Sequence, residues 1–230
     1  AGKGFWVWSG DNSAGTAAFT IDLVGSINQG NINLPVSFTN TGTILNDGWN
    51  MVGNPYPSAI DWDSPSWGKT NIDDAIYIWD PTSSGCSYAS YVGGVGNNGG
   101  SNVIASSQAF WVKTNAAAPV LTAIESVKST DQTDPFKNFV PNQIVRMGIH
   151  SIDNTFRDET TLSFNPNATE SFDGGYDAVK IKSLNPNMVS IATNSEDNQK
   201  LSINSFAIDF DVEIPIYVKV PNTGTYKFDI

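Results

Sequence analysis

Carboxylates are the one reactive side chain this sequence holds in quantity, with 23 Asp and Glu among 230 residues. His150 is the only histidine and Cys86 the only cysteine. A Ser-His-Asp triad would have to recruit His150, whose place in the alternating run Ile144, Arg146, Gly148, His150 points it to solvent, and no nucleophile elbow accompanies it. Cys86 stands between Gly85 and Ser87 in a turn, with no neighbouring cation or helix N-terminus to activate a thiolate, so it reads as a plain small residue. Zinc's usual tetrahedral Cys/His sets cannot be assembled. Acids that could pair are Asp61 and Asp63 around Trp62, Asp73-Asp74 before Ala75, and Asp80 after Trp79. Asp209, Asp211 and Glu213 alternate with Phe210, Val212 and Ile214, which puts three acids on one face of a strand. Glycoside hydrolysis needs two carboxylates opposed across a sugar, whereas a solvated sheet face needs only the alternation. The expectation is that the chain has no catalytic residue, with a carboxylate-based hydrolase as the last alternative.

Calcium is a second use for such acids, because it accepts oxygen from Asp, Asn and backbone carbonyls in Gly-rich loops. Asp173-Gly174-Gly175-Tyr176-Asp177 and the stretch from Asp153 to Asp158 and Glu159 offer that combination without the ordered EF-hand spacing. Asp153, Asp158, Asp173 and Asp177 are the candidate ligands, and ordinary Asx turns without an ion are the competing reading. The chain also has seven Trp and seven Tyr. A flat ring face stacks on sugar C–H groups while Asn and Asp bind hydroxyls, so an aromatic-rich acidic β-protein suggests a carbohydrate platform. Trp6, Trp8, Trp49, Trp79 and Trp111 sit in strand-like runs and are expected to be core. Trp62, Trp67, Tyr88 and Tyr91, in or beside loops, are the candidate ligand-binding residues.

The elements that must position these groups are strands. Helical periodicity is nearly absent, and Gly, Asn, Ser and Pro punctuate short β-branched or aromatic runs throughout. Strands are expected near 4–8, 17–24, 32–38, 49–53, 75–79, 87–92, 108–113 and 119–125. A second set is expected near 143–151, 159–164, 177–182, 188–193, 200–208, 212–220 and 224–230. Residues 93–101, rich in Gly and Asn, read as a long flexible surface loop, and with no helix following they do not make a phosphate loop. The polar stretch from Ser126 to Pro135 reads as a linker. The expected organisation is all-β, two tandem antiparallel β-sandwich domains, 1–126 and 141–230, joined by a linker at 127–140. Seven strands in the second unit fit an immunoglobulin-like sandwich or a jelly roll.

Net charge is −11 and no Lys/Arg cluster stands out along the sequence, which argues against nucleic acid as a partner. No stretch approaches the roughly 20 apolar residues of a membrane helix, so no membrane insertion is expected. One cysteine cannot form an internal disulfide, so outside the cell stability would rest on packing or bound ions.

One segment stands out: Gly48-Trp49-Asn50-Met51-Val52-Gly53-Asn54-Pro55-Tyr56-Pro57-Ser58-Ala59-Ile60-Asp61-Trp62. A short apolar strand runs there into a turn in which two prolines fix their own φ and push Asn54 and Tyr56 into extended conformations. A stiff corner braced by Trp49 and Tyr56 is expected. This segment, followed by Ser106-Ser107-Gln108-Ala109-Phe110-Trp111-Val112-Lys113, resembles one that recurs in large surface and secreted proteins of Bacteroidota exported by the type IX secretion system. The second half is similar to the module that often precedes the sorting domain in such proteins, through Phe172-Asp173-Gly174-Gly175-Tyr176-Asp177, Lys200-Leu201-Ser202-Ile203-Asn204 and Gly224-Thr225-Tyr226-Lys227-Phe228. The resemblance implies a passenger region with the type IX outer-membrane translocon as its export partner, an extracellular or cell-surface location, and a C-terminal sorting domain beyond Ile230. Because type IX substrates include gliding adhesins, it also implies a structural stalk or adhesive role. A carbohydrate-binding module of a secreted polysaccharide-degrading enzyme, with surface glycans as partners, is the first alternative.

Overall fold

The computed structural model describes residues 1–6, 24–43, 45–81, 87–130, 144–207 and 213–230. The expectations placed on 17–23, Trp8, Cys86, Asp209, Asp211 and 131–140 lie outside these residues. In chain order the described strands of the first half are β1 (Ile32–Leu34), β2 (Trp49–Gly53), β3 (Ile60–Asp61), β4 (Trp67–Thr70) and β5 (Ile72–Asp80). They continue with β6 (Ser87–Val92), β7 (Val95–Asn97), β8 (Val103–Ile104), β9 (Ala109–Thr114) and β10 (Val120–Ala123). The second half contributes β11 (Ile144–Ser151), β12 (Arg157–Phe164), β13 (Ala178–Val179), β14 (Ser190–Asn194), β15 (Lys200–Phe206), β16 (Ile216–Lys219) and β17 (Tyr226–Asp229). The fold is all-β, and a single 3-10 turn, Glu125–Val127, is the only helical element among the described residues.

One antiparallel sheet, in the order β2-β9-β5-β6-β7, organises the molecule. Side chains alternate across it, as the period of a strand requires. Val52, Ile76, Ile78, Tyr91, Phe110 and Val112 point to one face and join Trp62, Trp67, Leu34 and Leu121 in the largest core. That core is closed by the sheets β1-β10-β4 and β3-β8. Ala75, Tyr77, Val92 and Val95 belong to the other side and pack on Ala178 and Ile203 of the second half, with Trp49, Tyr88 and Trp111 half-buried around them. The second half forms the sheet β16-β14-β15-β12-β11-β17, with β13 added on β15. All its pairs are antiparallel except β12 with β15. Met147, Ile149, Val189 and Ile191 form its own core.

Polar contacts reinforce the junction of the halves. Val179 N–H donates to Tyr77 Oη at 2.7 Å, Asp74 N–H to Gly174 O at 2.7 Å, and Arg146 Nη1 to Gly96 O at 2.7 Å. Ser90 Oγ and Ser202 Oγ share a hydrogen bond of 2.9 Å. Val127 and Lys128, where the expected linker begins, pack with the first half: Val127 is fully buried in its core and Lys128 bridges to Ile60.

Residues 93–101 differ from the expected flexible loop. They contain β7, all three of whose residues are buried, and β7 pairs with β6 in an antiparallel hairpin. The glycines serve close approach rather than mobility: a Cβ at Gly96 would lie 1.9 Å from Gly100 O, and one at Gly100 would lie 2.0 Å from Ser90 O. Backbone packs directly on backbone there.

The proline-rich corner is braced by Asn54 and Tyr56, not by Trp49. Asn54 Nδ2 donates to Ser58 O at 2.8 Å and Ala105 O at 3.0 Å, and its Oδ1 accepts Tyr56 N–H at 3.0 Å. Buried Tyr56 places its hydroxyl 2.6 Å from Gly30 O and 2.9 Å from Ala123 O, clamping three distant segments. Trp49, one strand residue out of phase with Val52 and Asn50, faces the opposite side of the sheet and is half-buried.

Candidate functional site

Strand parity that sends Val52, Phe110 and Val112 into the core must send Trp49 and Trp111 out of the other face. The second half covers that face only in part. Between them lies a groove of about 570 Å³, within the size range of small-molecule and saccharide sites. Trp49, Trp111 and Tyr88 form its first-half wall. Trp49 is fixed by its indole N–H donating to Leu45 O at 2.8 Å and by an edge-to-face contact with Tyr77 at 5.1 Å. Tyr88 is fixed by Trp79, whose ring centroid is 5.0 Å away. The opposite wall comes from the segment between β13 and β14, including Ile181, Lys182 and Met188, and from Lys200, Tyr217 and Lys219.

The floor is a buried ion pair. Lys180 Nζ lies 2.6 Å from Asp158 Oδ2, and the two side chains are 8% and 4% exposed. Asp158 also accepts Ile191 N–H at 2.9 Å and Asn98 Nδ2 at 3.0 Å, while Lys180 donates to Glu159 O at 3.0 Å. This satisfaction is what makes the buried charges tolerable. Lys200 Nζ sits over the Tyr217 ring, 3.4 Å from its centroid. A cation on the face of a ring is held without a carboxylate.

Of the aromatic residues expected to bind ligand, only Tyr88 lines the groove. Trp62, Trp67 and Tyr91 are corrected to core residues, at 1%, 8% and 3% exposure. Although loops flank the two tryptophans, their indoles turn inward and donate to Asp74 O at 2.6 Å and Asp61 O at 2.8 Å. Tyr91 donates its hydroxyl to Asp63. The strand tryptophans divide the other way: Trp49, Trp79 and Trp111 are half-buried and Trp6 is exposed. Sequence reading missed Trp49 and Trp111 because a strand was equated with a core. Their opposite parity to Val52 and Phe110 was the available signal.

Several of the carboxylates are engaged in structure. Asp61 Oδ1 accepts Asn102 Nδ2 at 2.7 Å and Asp63 N–H at 2.9 Å, and Asp74 pairs with Lys69 at 3.1 Å. Burial pushes the Asp63 and Asp73 carboxyls above their ordinary range, against the pull of Tyr91 and Asn115 respectively. Of the candidate calcium ligands, Asp158 is the groove's buried anion. Asp173 accepts Thr169 N–H at 2.6 Å, and Asp177 accepts the N–H groups of Asp173 and Ser205, each at 2.7 Å. Burial pushes Asp177 up to about 7. Asp153 lies in the turn after β11. Among the described residues no three His, Cys, Asp or Glu side chains converge in a way that could hold a metal ion. His150 Nδ1 lies 2.9 Å from Asp229 Oδ2 on the neighbouring β17. No helix among the described residues is long and apolar enough to cross a membrane.

A family model described as a domain of unknown function (DUF8693) matches residues 1–230, and the chain belongs to that family. No curated protein and no solved structure matches it.

Proposed function

We propose that this member of the family is a non-catalytic binding module, the extracellular passenger region of a type IX-exported surface protein, and that it adheres to carbohydrate through the groove between its halves. The observation that carries the binding role is the pairing of Trp49 and Trp111 with Tyr88 on one wall of a groove of about 570 Å³. Half-buried aromatic rings, with Trp49 held by Tyr77 and Tyr88 by Trp79, offer sugar C–H faces a platform. This favours a carbohydrate-binding or adhesive role over a bare stalk. The non-catalytic reading is supported by the carboxylates, whose oxygens serve Lys69, Lys180, Asn102 and backbone N–H groups.

Export rests on the sequence resemblance alone, and the outer-membrane translocon enters as partner on the same ground. A glycan array at neutral pH tests binding: the wild-type protein is expected to capture a set of glycans that the Trp111→Ala and Tyr88→Ala variants do not. Glycan capture unaffected by both substitutions would remove the groove from the function. A tagged full-length protein is expected to be degraded by protease added to intact cells, and protection by the envelope would end the surface assignment.

A further inference from the structure

The groove is basic in an acidic protein. Lys180, Lys182, Lys200 and Lys219 line it, four of the chain's twelve Lys and Arg residues, in a molecule of net charge −11. Among the described residues one carboxylate, Asp158, lines the groove with them, and Lys180 pairs with it. Lys182 and Lys219 are exposed and Lys200 half-buried, and none of the three has an ion-pair partner among the described residues. Three ammonium groups with no carboxylate partner among the described residues line one concave site, where like charges repel and an anionic ligand relieves the repulsion.

We propose that the groove binds an anionic polysaccharide, its sugar rings stacked on Trp49, Trp111 and Tyr88 and its carboxylate or sulfate groups paired with Lys182, Lys200 and Lys219. The proposal rests on the carbohydrate reading above and names the class. The two walls divide the work: the sheet wall is aromatic and, among the described residues, brings no charged side chain, while the wall from the second half brings the cations. A polymer of alternating apolar ring faces and equatorial anions meets both demands at once. Lys200 is already positioned, because the Tyr217 ring holds its ammonium at 3.4 Å. Lys180 is locked to Asp158 and serves the floor rather than the ligand.

Isothermal titration of the whole chain against polygalacturonate, dextran sulfate, uncharged dextran and poly-glutamate, at low and high salt, decides it. One or both anionic polysaccharides are expected to bind, with affinity falling as salt rises. Lys182→Gln/Lys219→Gln is expected to weaken that binding by roughly tenfold, as the loss of two ion pairs allows. These side chains are exposed, and an unchanged thermal melt will confirm that the variant folds. Polygalacturonate without dextran sulfate identifies a uronate site, and the reverse identifies a sulfate site. Dextran bound as tightly as the anionic polymers overturns the anionic class and leaves the carbohydrate reading standing. Binding to poly-glutamate alone, or to none of the four, overturns both.

Discussion

The Val179 N–H donates to the hydroxyl of Tyr77 at 2.7 Å, and the two residues lie 102 positions apart, one in each half of the chain. Both are buried. The bond forms beside the apolar contact of Tyr77 with Ala178 and Ile203, so it fixes how the second half seats on the five-stranded sheet. Burial raises the Tyr77 hydroxyl well above the ordinary phenol range, which keeps it neutral. Tyr77→Phe keeps the ring and leaves Val179 N–H without its acceptor, and is expected to cost about 1–3 kcal/mol in denaturant unfolding. Unfolding midpoints indistinguishable from wild type would mean that apolar packing alone seats the halves.

The Gly96–Gly100 stretch is expected to resist proteolysis. Its β7 strand is buried, pairs with β6, and meets Arg146 and Thr161 of the second half through Gly96 O at 2.7 Å and Asn97 Oδ1 at 2.9 Å. Proteases need an extended, accessible segment, which this backbone offers only after unfolding. Limited digestion followed by mass spectrometry checks it, and first cleavage within 93–101 would contradict the placement. Gly96→Ala, whose Cβ would meet Gly100 O at 1.9 Å, is expected to make the stretch labile.

Strand positions were largely readable from alternation, since 49–53, 87–92, 108–113, 143–151 and 159–164 recur as β2, β6, β9, β11 and β12 within a residue or two. Local pattern carried that information because a strand's period is local. What the pattern lacked was the second half's position. Whether Trp111 or Phe110 meets solvent depends on which sheet face the second half covers, and that is a long-range fact. The same limit applied to Gly96 and Gly100, where composition suggested mobility and packing required the absence of Cβ. The lysines of the groove were invisible for a related reason: Lys180, Lys182, Lys200 and Lys219 are spread over 40 positions and form no run.

Stability is expected to fall as pH rises from about 4 to about 7. Burial pushes the Asp177 carboxyl up to about 7, against the pull of the Asp173 and Ser205 N–H groups, whereas its ordinary value is 3.8. Between those values the folded state keeps a proton that the unfolded chain has released. The resulting stabilisation is therefore complete below the unfolded value and gone above the folded one. A full shift corresponds to about 4 kcal/mol at most. Asp63 and Asp73, raised by burial, act in the same direction. Asp47, lowered by its Thr41 hydrogen bond, acts oppositely and only at pH below its ordinary 3.8. Asp177→Asn leaves one of two N–H donors without an acceptor and lowers stability at every pH, so the readout is the slope. Thermal melts from pH 4 to pH 8 are expected to decline for wild type and to flatten for Asp177→Asn. Parallel curves would assign the decline to the other acids.

Trp62 and Trp111 should separate stability from binding. Trp62 is fully buried, lies 5.0 Å from the Trp67 ring and 5.8 Å from Phe110, donates to Asp74 O, and carries Lys69 Nζ 3.8 Å above its face. Trp62→Ala opens a cavity and strands the Asp74 carbonyl, for an expected loss of about 3–5 kcal/mol. Trp111 is half-buried on the opposite side of the sheet and lines the groove. Trp111→Ala removes only part of a side chain's burial, about 1–2 kcal/mol, and takes away a stacking face. The expected pattern is a Trp62 variant that melts early but still binds its glycan below its melting point, and a Trp111 variant that melts almost normally and does not bind. Denaturant unfolding and titration on the same preparations measure both. The reverse pattern would return the ligand to the loop-flanking tryptophans and would make the aromatic wall of the groove mere packing between the two halves.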